Sequence, residues 1–240
     1  MNRLIIIIIL ELLLGTSIAQ AQVAFNGQHS YDGEHKNELA GYVMGGTNVV
    51  CGGFGGLEVS YRRHFDDHWH AGVDAQAQFG KQLYSVDVQG GYHLKFGWSD
   101  FFLDGKFVYN KYNRWNAKET IGNLSLIWEM PYFYLRVGES LIHYKVNTLG
   151  YTEPLTFTFG FGVNVRPRWY NWNLGLFFRN HDDFYYENWN INWGLHFYTP
   201  APFIKNAKLF GEFNVRPAGS MSQLASKYET SGKLGLKYVW

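Results

Sequence analysis

Between Asn188 and Tyr198 nearly every second residue is aromatic or aliphatic. Trp189, Ile191, Trp193, Leu195 and Phe197 fall on one parity, and Asn188, Asn190, Asn192, Gly194 and His196 on the other. A period of two belongs to an extended strand whose side chains alternate between two faces, and no helix can carry it. The pattern recurs. Leu155, Phe157, Phe159, Phe161, Val163 and Val165 oppose Thr156, Thr158, Gly160, Gly162 and Asn164. Phe101, Leu103, Phe107 and Tyr109 oppose Asp104, Lys106 and Asn110, and Tyr84, Val86, Val88, Tyr92 and Leu94 oppose Ser85, Asp87, Gln89 and His93. Each segment has one apolar and one polar wall, and helical periodicity is nearly absent beyond residue 22.

Strands are predicted over 39–50, 53–65, 68–79, 82–96, 99–112, 119–130, 131–145, 152–166, 168–180, 184–198, 203–216 and 227–240. Twelve is an even number, which brings both chain ends to one side of a closed barrel. Ten strands is the alternative, because Gly45 to Gly56 alternates poorly.

A soluble sandwich would alternate in the same way, so three further features decide the class. Aromatics make up 19% of the chain and crowd toward strand ends, as in Tyr170 and Trp172, Tyr185 and Trp189, and Tyr238 and Trp240; a membrane-interface girdle requires this. Tight turns at 66–68, 97–100, Pro131, 166–168 and 199–202 alternate with longer connections near 111–119, 143–153, 180–186 and 217–227. Short periplasmic turns and longer outer loops are the habit of outer-membrane barrels.

The chain closes on Leu234, Leu236, Tyr238 and Trp240 on one face, with Lys233, Gly235 and Lys237 on the other. This tail resembles the C-terminal signal of bacterial outer-membrane β-barrel proteins, a terminal aromatic with apolar residues at every second position before it. The resemblance implies an all-β, closed antiparallel transmembrane barrel in a Gram-negative outer membrane. It also implies insertion by the barrel-assembly machinery through the last strand, with outer-membrane lipid as surroundings. It identifies no particular family.

Residues 1–21 read differently from the rest. Arg3 gives a positive start, Leu4 to Leu14 an apolar stretch interrupted by Glu11, and Ala19-Gln20-Ala21 a small-x-small cleavage pattern. About 11 apolar residues are too few for a membrane helix, which needs about 20. The expectation is a cleaved signal peptide, then one barrel domain over 22–240, with 22–38 as a periplasmic or plug segment or an extension of the first strand. Cys51 is the one cysteine, so no intrachain disulfide forms.

Parity assigns Phe157, Phe159, Trp172, Trp189, Trp193, Tyr238 and Trp240 to the membrane face. It assigns Arg62, Asp74, Asp87, Lys106, Arg136, Arg166, Arg179, Asn190, Asn192, Glu212 and Arg216 to the lumen. With Lys95, Lys208, Lys233, Lys237, Glu58, Asp104, Glu129 and Glu229 added, the predicted wall carries both signs and a modest basic excess. Rings of charged side chains set the preference of a pore, and this wall loosely resembles those of twelve-stranded barrels that carry acidic oligosaccharides through arginine-lined lumens. The reading is a narrow passive channel, a porin for small polar or anionic, sugar-like solutes. A barrel plugged by its own salt-bridged side chains, with partner-binding outer loops, stays open beside it.

An outer-leaflet lipid-modifying hydrolase is the third reading. It rests on Glu139 and His143, which fall on the lipid-facing parity of the seventh strand, and no serine partner accompanies them. The chain reads as a non-enzyme ahead of an enzyme. His68 and His70 beside Asp66 and Asp67 have a spacing that could hold a metal, but turn residues explain them more simply. Gly52, Gly53, Gly55 and Gly56 lack the Lys-Ser or Lys-Thr pair of a phosphate loop. The loop Asn180-His181-Asp182-Asp183 has side chains that could hold a cation on the outer surface, but one such loop makes no site. No metal, cofactor or nucleic acid is expected. Outer aromatics at Trp115 and at Phe184 to Tyr186 could stack on glycan or a partner.

Overall fold

The structure, a computed structural model, describes residues 36–48, 52–168, 170–180, 191–216 and 229–240. Residues 1–35, over which a signal peptide and the start of a periplasmic or plug segment are expected, lie outside the described residues, as do Cys51, Tyr185, Trp189, Asn190, the connections expected at 181–186 and 217–227, and the side chain of Arg216.

The chain forms a closed antiparallel barrel of twelve strands: β1 (Asn37–Asn48), β2 (Gly52–His64), β3 (Trp69–Gln78), β4 (Leu83–Phe96), β5 (Ser99–Tyr112), β6 (Ala117–Glu129), β7 (Phe133–Val146), β8 (Leu149–Asn164), β9 (Asn173–Arg179), β10 (Asn192–Pro200), β11 (Ala207–Arg216) and β12 (Glu229–Val239). Each strand pairs with its sequence neighbours, and β12 closes on β1 with Glu38 opposite Val239 and Asn48 opposite Glu229. Closure removes every free edge, which a sheet in hydrocarbon must do because lipid offers no hydrogen-bond partners. The ten-strand alternative falls, and Asn37 and Glu38 belong to β1 rather than to a separate segment.

The register fixes the geometry. Asn37 of β1 lies level with Arg63, Ala71, Gly90, Gly105, Leu124, Glu139 and finally Phe157 of β8. Phe161, four residues nearer the chain-end rim, continues through Phe178, Trp193, Val215 and Thr230 to Thr47 of β1. One full circuit therefore shifts by about 14 residues, which for twelve strands means a tilt of roughly 40° and a backbone diameter of about 22 Å.

Several boundaries differ from the sequence expectation. β9 begins at Asn173 and not at 168, because Arg166-Pro167-Arg168 folds across the barrel mouth instead of entering the sheet. β10 and β11 begin at Asn192 and Ala207. The longer connections expected at 111–119 and 143–153 are tight: a single 3-10 turn over Asn113–Trp115 joins β5 to β6, and Asn147-Thr148 joins β7 to β8. Asn116 and Asn147 take left-handed backbone there, with φ of 48° and 54°, a conformation asparagine tolerates better than most residues. The register of β7 on β8 slips between Ser140 and Ile142, where Pro154 removes a ladder donor and an extra residue of β8 is accommodated as a bulge.

Exposed and buried residues alternate along the strands. The outer surface carries Val43, Leu57, Val59, Val86, Val88, Leu103, Phe107, Leu124, Leu126, Leu141, Phe157, Leu195 and Phe213, all well exposed. An apolar surface that encircles a barrel is what a bilayer core covers. At the rim that holds the chain ends it is bordered by Trp69 against Tyr92, Phe101 stacked on Trp128, and Tyr238 stacked on Trp240.

Candidate functional site: the barrel interior

The inward parity holds most of the barrel's charge. Ten carboxylates are buried, those of Glu38, Glu58, Asp74, Asp87, Asp100, Asp104, Glu119, Glu129, Glu212 and Glu229. Buried cations are fewer: Arg62, Lys81, Lys106, Arg136, Arg168, Arg179 and Lys237, with Lys208 and Lys233 half-buried. The modest basic excess expected from parity is therefore not found among the described residues. Two of the cations behind that expectation stand elsewhere. Lys95 is exposed at the rim. Arg166 lies past the end of β8, with its guanidinium 4.0 Å from the Trp172 ring and 5.1 Å from that of Tyr170. Arg216 ends β11.

Buried charges require partners, since an isolated ion in a low-dielectric interior costs several kcal/mol even after relaxation. Along the wall, Glu38 accepts from Lys237 at 2.8 Å and lies 3.9 Å from Arg62. Lys106 binds Asp87 at 3.0 Å and Arg179 binds Glu212 at 2.8 Å. Lys233 sits 3.7 Å from Glu58 and His70 3.3 Å from Asp104. Gln89 donates to Asp74 at 2.9 Å. Arg136 donates to the neutral side chains of Asn123 (2.9 Å) and Ser125 (2.8 Å). Each of these contacts joins adjacent strands or strands one apart, so the side chains are held along the wall. Asn192 is buried on the inward parity opposite Arg179.

Inward glycines let large residues lie flat in the same way. A Cβ added at Gly235 would come within 2.2 Å of the Tyr42 ring, and one at Gly194 within 2.5 Å of the Phe177 ring. Those rings recline over the neighbouring strand's backbone instead of pointing at the axis.

Two contacts reach farther, one at each mouth. At the rim away from the chain ends, Lys81 in the β3–β4 turn is fully buried, hydrogen-bonds Glu229 of β12 and covers the Phe54 ring at 4.1 Å. At the rim holding both chain ends, the β8–β9 turn inserts Arg168. Its backbone N–H donates to Pro131 O at 2.7 Å, and its guanidinium binds Asp100 of β5 and Glu129 of β6 (2.9 Å). His93 Nε2 lies 2.7 Å from the other oxygen of Asp100, and Tyr198 donates to Arg168 O at 2.8 Å. Asn173 stitches the turn, donating to Arg166 O at 2.8 Å and accepting from Arg166 N–H at 3.1 Å.

The interior also holds apolar clusters that parity did not reveal. Leu83, Val108, Tyr112, Ala117, Ile121, Ile142 and Tyr144 pack together on the inward faces of β4 to β7. Phe102, Ile127, Tyr134 and Phe177 form another cluster, and Ala40, Tyr42, Tyr198 and Phe210 a third.

On the outer surface, Phe157, Trp193 and Tyr238 are exposed as strand residues, Phe159 shares their parity half-buried, and Trp172 and Trp240 stand at the chain-end rim. Glu139 is exposed between Leu124 and Phe157, six residues and about 15 Å of axial height from the start of β7, near mid-span. His143, also exposed, has Nδ1 2.8 Å from Thr152 Oγ1. Glu139 and His143 are four residues apart on one strand, about 13 Å, far outside hydrogen-bond reach of one another. A lipid-facing carboxylate at mid-span opposes insertion, so Glu139→Leu should raise the unfolding free energy of the bilayer-embedded barrel by about 1 kcal/mol. Urea unfolding in lipid vesicles measures it; a loss of stability would mean that the carboxylate has a partner in the membrane. Among the described residues no three or more His, Cys, Asp or Glu side chains gather to hold a metal.

This fold is that of outer-membrane β-barrels. The chain superposes on a KdgM porin solved in complex with disordered oligogalacturonate (TM-score 0.55, 9% identity), covering 85% of this chain and 99% of that one. A NanC porin matches with a TM-score of 0.52 at 10% identity over 82% of this chain and 98% of that one. The outer membrane protein Omp33 of Acinetobacter baumannii matches at 0.50 and 11% identity over 86% and 98%. No protein-family model matches the chain, and no curated protein matches it.

Proposed function

We propose that the protein spans the outer membrane with its chain ends on the periplasmic side and acts as a narrow passive channel for small polar, sugar-like solutes. The observation that carries this reading is how the wall is built. Its ion pairs join neighbouring strands and its large rings lie over glycines, an arrangement that keeps side chains off the axis of a barrel about 22 Å across its backbone. Lys81 and Arg168 then narrow the two mouths. Because nearly every cation on this wall has a carboxylate beside it, the lumen attracts free anions weakly. Hydroxyl-bearing solutes, which exchange hydrogen bonds with paired charges, suit it better than strongly charged ones. The bound oligogalacturonate of the similar porin is an acidic sugar chain, and a sugar-like cargo carries over more readily than its charge.

A plugged barrel with a structural role is the second reading. It is favoured by the near-complete burial of the inward side chains and by the three apolar clusters inside. Single-channel recording of the refolded protein in a planar bilayer separates the two. The channel reading expects steady small steps with weak ion selectivity, shifted toward cations by Arg136→Glu. Silence from a barrel verified as folded would overturn it in favour of the plug.

A further inference from the structure

The outward parity is apolar over most of the barrel, but on three adjacent strands it ends in lysine. Lys111 of β5 lies directly opposite Lys118 of β6, and Lys118 directly opposite Lys145 of β7. All three are exposed. With strands about 4.8 Å apart, three ammonium groups sit along a line of roughly 10 Å. Arg114 stands in the turn beside them. Like charges directly opposite one another in a sheet destabilise it, and among the described residues no carboxylate pairs with any of the three. The outward residues around them are Tyr84, Tyr109, Thr120, His143 and Gly150, none of them acidic. The acidic neighbour Glu119 is buried on the opposite face, bound by Asn110 and Tyr112.

Height decides what meets this row. Phe107 on β5 and Leu141 on β7 are exposed apolar residues on the same face. Each lies four residues below its lysine, about 10 Å along the barrel axis. The lysines thus stand just beyond the hydrocarbon edge, on the rim opposite the chain ends, where lipid headgroups lie. Among the described residues no other stretch of that rim carries an outward row of cations.

We infer that Lys111, Lys118 and Lys145 form a docking site for the phosphate groups of outer-leaflet lipid, with each phosphate oxygen cluster seated between two neighbouring ammonium groups. The site rests on the barrel spanning the outer membrane and not on its being a channel. A phosphorylated glycolipid fixed in the membrane supplies the compensating anions, and the strand ladder holds the lysines at a set spacing before the lipid arrives. The neighbouring Tyr109 and the His143–Thr152 pair offer polar contacts at the level of the glycolipid's sugars.

The test is retention of bisphosphorylated lipid A by the detergent-purified, refolded full-length protein, measured as bound lipid by native mass spectrometry. Wild type is compared with the triple variant Lys111→Gln/Lys118→Gln/Lys145→Gln and with the single Lys118→Gln, which keeps the site assayable if the triple variant does not fold. At about 1 kcal/mol per lysine near a charged surface, the triple variant should bind on the order of 100-fold more weakly and the single variant several-fold. A second readout has opposite signs in two surroundings. Lys118→Gln should raise the melting temperature in zwitterionic vesicles, where only mutual repulsion is relieved, and lower it in vesicles containing lipid A. Equal lipid A binding by folded wild type and variants, or a melting shift of one sign in both vesicles, overturns the site. Displacement of lipid A by millimolar inorganic phosphate would show a generic phosphate site and likewise overturn it. Loss of conductance has no bearing on any of these outcomes.

Discussion

Arg168→Met should lower the unfolding free energy of the refolded barrel by about 3–5 kcal/mol, the range seen when one partner of a buried ion pair is removed. The guanidinium is the cation shared by Asp100 and Glu129, two buried carboxylates on adjacent strands, and it also donates to Trp98 O at 3.3 Å. Methionine keeps much of the volume and removes the charge, leaving both carboxylates facing one another in a site closed to water. The His93 ring, stacked on Phe102 and with Nδ1 3.2 Å from Asp67 O, meets Asp100 on the far oxygen. Adding Asp100→Asn and Glu129→Gln to Arg168→Met should recover more than half of the loss, because the cost lies mainly in the stranded charges. Urea unfolding followed by tryptophan fluorescence reads both numbers, provided the slope with urea is unchanged between variants. A loss below about 1 kcal/mol would mean that water or another cation reaches the carboxylates, and hence that Arg168 is not what narrows this mouth.

Arg168 also marks the limit of what the sequence discloses. The strands were legible because a bilayer on one side and a polar interior on the other impose opposite chemistry on alternate residues, as along 155–165 and 192–198. The mouth residues were not. Arg168 and Lys81 sit in turns, where no periodicity applies, and which way a turn folds depends on partners far along the chain: Asp100 and Glu129 for one, Glu229 for the other. Arg166 was placed inside by extending the β8 alternation two residues too far. The apolar interior clusters escaped for a different reason. Around Phe101-Phe102-Leu103 and Leu141-Ile142-His143-Tyr144 both parities carry aromatic or apolar residues, so alternation cannot tell which of them faces in. Gly194 and Gly235 read from parity only as members of the polar face, yet their missing side chains are what lets Phe177 and Tyr42 lie along the wall. Strand existence followed from local rules, whereas the closure and charge balance of the lumen followed from which residues meet across the register.

The register itself has a sharp consequence at equal depth on opposite faces. Trp193 is exposed on the outer surface seven residues before Pro200, about 17 Å up from the turn at the chain-end rim and close to mid-membrane. Trp193→Arg should cost about 2–4 kcal/mol of folding free energy in a bilayer. Ser231 of β12 stands at a similar height but faces inward, opposite Asn214, with Glu212 and Lys233 as its diagonal and same-face neighbours. Arginine at Ser231 meets a carboxylate instead of lipid tails, and its cost should stay below about 1 kcal/mol, because the pair it can form with Glu212 offsets its desolvation. Equilibrium unfolding of both variants in the same phosphatidylcholine vesicles gives the difference directly. A shift of one residue in the strand pairing exchanges the two faces, so similar costs at both positions would overturn the register of β10 to β12 and, with it, the assignment of which side chains line the lumen.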